Sequence, residues 1–284
     1  MVPNPPTSAS FIGENVDLVL FPEGYVAVSD HERTEAVNGL ASDLGATLLV
    51  GGIERRADYG GRTCQVLLRF DPDGFHSRVY TKHSAAKAVA FERPDWEPND
   101  MLPTIELGNV TAGATICHDH YLGLLPRFLA GRGALLRFNP SFDNVREIKW
   151  SSVLRLRAVE NRFYALCTLH CDMKEQRTHP FAFAPDGTEL SARQAGSKIA
   201  RPLSECCEAR NIYVVDLDLA AAGEPLGRSK LPPAKTPKQT RSGKPRRLIR
   251  VALRGGRPTI YGCSRIDRLD SGLRGETVHG PVYA

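Results

Sequence analysis

Short apolar runs alternate along this chain with stretches in which apolar residues recur every three or four positions. VDLVLF (Val16–Phe21) and ATLLVGG (Ala46–Gly52) read as buried strands. Between them, Ser29 and Glu32 have capping-box spacing. The helix they open carries Ala36, Leu40 and Leu44 on one face and stops near Gly45. CQVLLRF (Cys64–Phe70) and FHSRVYTK (Phe75–Lys82) flank DPDG and predict a hairpin. VTAGATI (Val110–Ile116) is a strand, YLGLLPRFLAGRG (Tyr121–Gly133) a short helix ending at glycine, and ALLRFN (Ala134–Asn139) a strand again. Val145 to Asn161 form a longer helix, with Trp150, Val153, Leu154 and Ala158 at helical spacing. FYALCTL (Phe163–Leu169) is a strand, FAFAPDGTEL (Phe181–Leu190) a hairpin and NIYVVDLDL (Asn211–Leu219) a further strand. Strands alternating with helices, interrupted by hairpins, predict an α/β layered domain with a mixed sheet.

The pattern changes after Ala222. LPPAKTPKQTRSGKPRR (Leu231–Arg247) is rich in Pro, Lys and Arg without periodicity and reads as a linker or exposed arm. RLIRVAL-RGGR-PTIYGC (Arg247–Cys263) then reads as a hairpin. The organisation expected is a domain over residues 1–222 and a basic linker with a C-terminal extension over 223–284.

Composition narrows the class. Of 284 residues, 42% are apolar, enough for a substantial core. No apolar stretch approaches the roughly 20 residues of a membrane span. The start, MVPNPPTSAS, lacks a basic region followed by an apolar one, so no secretory signal is read there. Seven cysteines without such a signal suggest reduced thiols and a cytoplasmic protein. The net charge of +5 is unevenly spread. Arg228 to Arg257 hold 11 Lys/Arg and no Asp or Glu, leaving 26 Lys/Arg against 32 Asp/Glu elsewhere. The body is mildly acidic, so the overall basicity does not mark it as a nucleic-acid binder.

GATICHDHYLG (Gly113–Gly123) places a thiol where an apolar strand gives way to polar residues and a helix. At a helix N-terminus the backbone N–H groups favour an anion, so the thiol pKa should fall and its reactivity rise. A lone Cys is more often a small buried hydrophobe. Two further strand ends alter that balance. LVLFPEG carries Glu23 just past one apolar strand, and SRVYTKHS carries Lys82 at the end of another. Ligands of open α/β sheets bind outside the carboxyl ends of strands. A carboxylate can take a thiol proton and return it to a leaving amine, and an ammonium can hold an oxyanion. The three groups suit acyl transfer through a thioester.

The ordered motifs LVLFPEGY, VYTKHS, GATICHD, GRGALLRFNPS and LRAVENRFY, with the late FAFAPDGTEL hairpin, resemble those of the carbon–nitrogen hydrolase (nitrilase) superfamily over roughly residues 15 to 219. The CHD context resembles its amidase-like branches. The resemblance implies an αββα sandwich with mixed sheets, and self-association as a homodimer or higher oligomer. It implies Cys117 as nucleophile, Glu23 as general base and then acid, and Lys82 with the backbone N–H of His118 as oxyanion donors. Glu92, with Glu97 as second choice, stands where many members carry a further glutamate, and Asn139 is a supporting position in the GRGALLRFNPS motif. The chain departs from the family in two places. YLGLLPR lacks the acid of the usual aromatic-Pro-Glu segment, and only 22 residues precede Glu23, where members usually have a strand and a helix. The start therefore reads as shortened, unless the RLIRVAL strand of the extension replaces the missing one.

The activity implied is hydrolysis of a non-peptide amide or carbamoyl C–N bond in a small molecule, with no metal and no organic cofactor. Nitrile hydrolysis and acyl transfer are alternatives on the same fold. A rival of another class is a degenerate hydrolase that binds nucleic acid through residues 228–257. CTLHCDMKEQRTH (Cys167–His179) lacks zinc-site spacing, and its Cys167 sits in a buried strand. His170 and Cys171 are instead candidates to line a pocket, as are His118 and His120. Cys206 and Cys207 read as exposed reduced thiols.

Overall fold

The computed structural model describes residues 11, 14–56, 62–84, 102–142, 147–170, 180–205, 212–219, 222 and 248–254. Two sheets form. The first begins with β1 (Leu18–Leu20), β2 (Val26–Ala27), β3 (Thr47–Arg56), β4 (Arg62–Phe70) and β5 (His76–Thr81). The chain then crosses to build the second from β6 (Thr104–Leu107), β7 (Val110–Ala114), β8 (Leu136–Phe142), β9 (Tyr164–His170) and β10 (Phe181–Phe183). It returns to the first with β11 (Ser191–Gln194), β12 (Ala200–Pro202), β13 (Ile212–Asp218) and β14 (Leu248–Arg254). The nine-stranded sheet has the order β12-β11-β13-β14-β1-β3-β4-β5, with β2 beside β3; the five-stranded sheet runs β10-β9-β8-β7-β6. Both are mixed: β1 is parallel to β3 and β14, and β8 to β7 and β9, while the remaining pairs except β2–β3 are antiparallel.

Period-two alternation decides what each strand face meets. Leu18 and Leu20 of β1, Leu49 of β3, Leu67 of β4 and Val251 and Leu253 of β14 join the core with Ala112, Ala114, Leu136, Phe138 and Leu166 of the other sheet. The intervening Val19, Leu48, Val50, Val66 and Ala252 pack outward with Val37, Leu40 and Ala41 of helix α1 (His31–Leu44). Helix α2 (Leu124–Gly131) and helix α3 (Glu147–Asn161) cover the second sheet. Leu129 of α2 lies against Gly113 of β7, and Trp150, Leu154 and Ala158 of α3 complete the same core. The result is the four-layer αββα sandwich. No helix among the described residues is long and apolar enough to cross a membrane.

Several local expectations are corrected. Asp30, not Ser29, caps α1: its Oδ1 accepts from the Arg33 N–H at 3.1 Å. The helix starts one residue later than the capping-box spacing placed it; its buried residues are Val37, Leu40 and Ala41, and Ala36 is exposed. It does end at Gly45, in a left-handed conformation with φ 60°. The PTIYGC half of the expected C-terminal hairpin lies outside the described residues, and its first strand, Leu248–Arg254, has partners far away in sequence. That strand is β14, inserted between β1 and β13, and Arg250 and Arg254 of the basic segment are used inside the fold. Arg250 donates to Asp216 and, through its backbone, to Asp17, while Arg254 lies over the Phe21 and Tyr25 rings. The rest of residues 228–257 lies outside the described residues.

Candidate active site

Glu23, Lys82 and Cys117 meet at one place, delivered by three strands of two sheets. β1 leads through Phe21, whose N–H still donates to Leu49 of β3 at 2.8 Å, into the turn that carries Glu23. That turn runs against β3. Tyr25 N–H donates to the Gly51 carbonyl at 2.7 Å, and a Cβ on Gly51 would stand 2.4 Å from Glu23 Cα. Glycine at 51 is what lets the Glu23 backbone approach this closely. Lys82 follows β5 directly, with its N–H donating to Gln65 of β4 at 2.9 Å. Cys117 follows β7 and opens a single 3₁₀ turn, Cys117–Tyr121.

The side chains close on each other. Lys82 Nζ donates to Glu23 Oε1 at 3.1 Å, and Phe142 N–H donates to Glu23 Oε2 at 2.7 Å. The Cys117 thiol donates to the Phe142 carbonyl at 3.5 Å and lies near enough to the Glu23 carboxylate to feel its charge. All three side chains are buried. Cys117 has φ 49°, in the left-handed region, which costs a non-glycine residue about 1–3 kcal/mol. Asn139 of β8 offsets part of that. Its Nδ2 donates to the Cys117 carbonyl at 3.3 Å and to the Thr115 carbonyl and hydroxyl at 3.2 and 3.1 Å. Ser141 Oγ donates to its Oδ1 at 3.0 Å, which fixes the amide's orientation. Asn139 therefore supports the cysteine's backbone rather than offering its side chain to a ligand.

The electrostatics reverse one expectation. Burial, and next the negative Glu23, push the Cys117 thiol well above its ordinary value; Lys82 opposes them. The turn N–H groups are too few to outweigh desolvation. Glu23 is pushed up by burial, against the opposing pull of Lys82, Cys117 and the Phe142 N–H. The resting arrangement is thus a protonated thiol beside a carboxylate paired with Lys82.

The other predicted residues divide. His118 is partly buried, and its Nδ1 lies 3.2 Å from Ser84 Oγ, so it reaches the segment after Lys82 rather than the thiol. His120 is not a pocket group. It is fully buried between Tyr121 and Trp150, and burial holds its pKa near 2, so it is neutral. Glu92, Glu97, Cys171, Cys206 and Cys207 lie outside the described residues, and the His170 side chain is likewise not described. No cluster of metal-ligating groups occurs among the described residues. Cys167 is buried beside Ser141, its thiol pushed up to about 12 by burial, which leaves it unreactive.

Sequence reading passed over Asp119, Tyr80, Ser84 and Arg137. Asp119 is fully buried and accepts from Tyr80 Oη, Ser84 Oγ and three backbone N–H groups. Arg137, also fully buried, donates through Nη2 to Thr115 Oγ1 at 2.5 Å. Burial lowers its pKa to about 10, so it stays charged near neutrality. The acid two residues after the cysteine was visible in GATICHD, but its burial was not.

The carbon-nitrogen hydrolase family model matches residues 7–200, and the chain belongs to that family. An aliphatic nitrilase of Sinorhizobium fredii (strain HH103) is 27% identical over 205 residues, covering 69% of this chain and 63% of the nitrilase. A nitrilase of Bradyrhizobium diazoefficiens is 28% identical over 203 residues, covering 67% and 59% respectively. The chain thus spans about three fifths of the length of these curated relatives. Among solved structures, a carbon-nitrogen hydrolase from Helicobacter pylori G27 superposes with TM-score 0.56 at 18% identity, over 65% of this chain and 75% of that one. An amidase mutant from Nesterenkonia sp. AN1 in complex with butyramide does so with TM-score 0.54 at 21% identity, over 69% and 77%. These structural likenesses establish the fold.

Proposed function

We propose that the protein hydrolyses a non-peptide C–N bond, in an amide or carbamoyl compound, through a thioester on Cys117. The observation that carries this reading is the convergence of Glu23, Lys82 and Cys117 in one buried cluster, within a chain of the carbon-nitrogen hydrolase family. Cys117 Sγ attacks the carbonyl carbon while its proton passes to the Glu23 carboxylate. Lys82 Nζ and the His118 backbone N–H hold the oxyanion. The C–N bond breaks as Glu23 returns the proton to nitrogen, and ammonia or an amine leaves. Water then gives a proton to Glu23 and attacks the thioester, and Glu23 passes that proton to the departing sulfur, releasing the acid and restoring the thiol. The raised pKa of Glu23 suits a group that must both accept and donate this proton. No metal or organic cofactor has a part in these steps.

A second reading, nitrile hydrolysis by the same nucleophile, is favoured by the names of the two curated relatives. The test is ammonia release from a panel of amides, carbamoyl compounds and nitriles, by the wild type and Cys117→Ala in parallel. Release by the wild type alone, fastest with amides or carbamoyl compounds, is expected. Faster release from nitriles selects the second reading, and equal release by both proteins removes Cys117 from the chemistry. For self-association, Leu122, Leu124, Phe128 and Leu156 on the outer helix layer are exposed apolar side chains suited to a homodimer contact.

A further inference from the structure

Lys82 sits just past the end of one sheet's edge strand, and Cys117 sits past the end of a strand in the other sheet. Glu23 grips Lys82 directly. One further carboxylate joins the segment around Lys82 to the cysteine turn. Asp119 lies two residues beyond Cys117. Its Oδ2 accepts from Tyr80 Oη at 2.6 Å, from His83 N–H at 3.1 Å and from Ile116 N–H at 3.4 Å. Its Oδ1 accepts from Ser84 N–H at 2.7 Å, from Ser84 Oγ at 2.6 Å and from His83 N–H at 3.2 Å. The donors from the lysine segment, residues 80, 83 and 84, bracket Lys82 on both sides. Ile116 brackets Cys117.

We propose that Asp119 is a positioning residue that sets the distance between Lys82 and Cys117, and so the place of the oxyanion site relative to the nucleophile. The proposal rests on the thioester reading above. Asp119 touches neither substrate nor thiol in this scheme. Burying a carboxylate costs several kcal/mol, and an apolar side chain would pack the two sheets without that cost. What an apolar residue cannot do is fix five donors at set distances from one point. Every partner of Asp119 is a donor, and the backbone N–H groups cannot rotate to become acceptors. An amide in its place turns one oxygen into a donor facing donors. The groups around it are Tyr80, His83 (Nδ1 2.9 Å from Tyr80 Oη), His118 through Ser84, and the cationic Arg137.

The test uses the full chain carrying Asp119→Asn, and separately the pair Tyr80→Phe and Ser84→Ala. That pair removes one hydroxyl donor from each oxygen without creating a mismatch. Two quantities are read: steady-state ammonia release, and the pH midpoint of Cys117 alkylation by iodoacetamide, with Cys117→Ala as blank. In Asp119→Asn, kcat is expected to fall about 10²-fold with KM within about threefold, the penalty of a misplacement near 1 Å. A displaced Lys82 no longer holds down Glu23 or the thiol. The alkylation midpoint should therefore move up by about one pH unit, and the Tyr80→Phe/Ser84→Ala pair should move it the same way by less. A midpoint that stays put in both variants overturns the proposal, whatever the turnover. If Asp119→Asn does not fold, the midpoint in the Tyr80→Phe/Ser84→Ala pair decides alone. A wild type that releases no ammonia, together with a shifted midpoint, removes the hydrolase reading and keeps the positioning role.

Discussion

The two sheets bring different kinds of chemistry to the same edge. The nine-stranded sheet supplies both charges, Glu23 and Lys82, and these are already paired with each other at 3.1 Å. The five-stranded sheet supplies a neutral thiol, held by a strained backbone and by the polar face of β8. One contribution is an ion pair whose burial must be compensated. The other is a conformation that must be enforced. The glycines repeat the contrast. Gly51, beside Glu23, has no room for a Cβ because of backbone, whereas Gly113, in β7, has none because of the Leu129 side chain. Charge placement therefore tolerates less change in the first sheet than packing does in the second.

Three substitutions, in order of expected effect, put that difference to measurement. Glu23→Gln keeps the hydrogen-bonding shape but removes the base, so kcat should fall about 10²–10⁴-fold with the protein still folded. Activity within tenfold of wild type would exclude Glu23 as the base. In the wild type, activity needs the ionised carboxylate and is lost as pH falls through its folded pKa. Because burial raises that pKa, the acid limb of kcat/KM should lie above the usual carboxylate range. Gly51→Ala comes next. Its Cβ meets Glu23 Cα and Pro22 O at 2.4 Å, so the Glu23 turn must move. A loss of about 10²-fold in kcat and about 1–3 kcal/mol in stability is expected, from kinetics and urea unfolding. Gly113→Ala is the smallest. The added methyl meets Leu129 Cδ1 and Cδ2 at 2.7 Å, and a side chain can yield. A cost of about 1 kcal/mol with kcat within about threefold is expected. Equal kinetic penalties for the two alanines would erase the distinction between the sheets.

Much of this was legible in the chain. Alternation located β1, β3, β4, β5, β7, β8, β9 and β13, because each buries at least one face in the core. It missed β6, β11 and β12, which are three or four residues long and partly exposed, so they carry no strong apolar signal. The strand-end logic picked out Glu23, Lys82 and Cys117, because a charge or thiol just past a buried strand has few structural uses. The sign of the thiol's pKa was misjudged, since a local feature, the turn's N–H groups, was weighed without the carboxylate that β1 brings from far away in sequence. Asp119 and Asn139 illustrate the same limit. Their burial depends on Tyr80, Ser84 and Thr115, which only the folded chain places around them.

The position of β14 has a consequence for how the protein is made. Val251 pairs with Leu18, and the Arg250 N–H with Asp17, 233 residues away. Until β14 is seated, the larger sheet exists as two fragments, β1-β3-β4-β5 and β13-β11-β12, each with an open hydrogen-bonding edge. A ribosome must therefore add the 233 residues that separate Asp17 from Arg250 before those edges are sealed. The nascent chain carries its Glu23 strand unprotected on one side until then, a stretch of time in which a chaperone, or a second unfinished copy, can compete for the place that β14 will take.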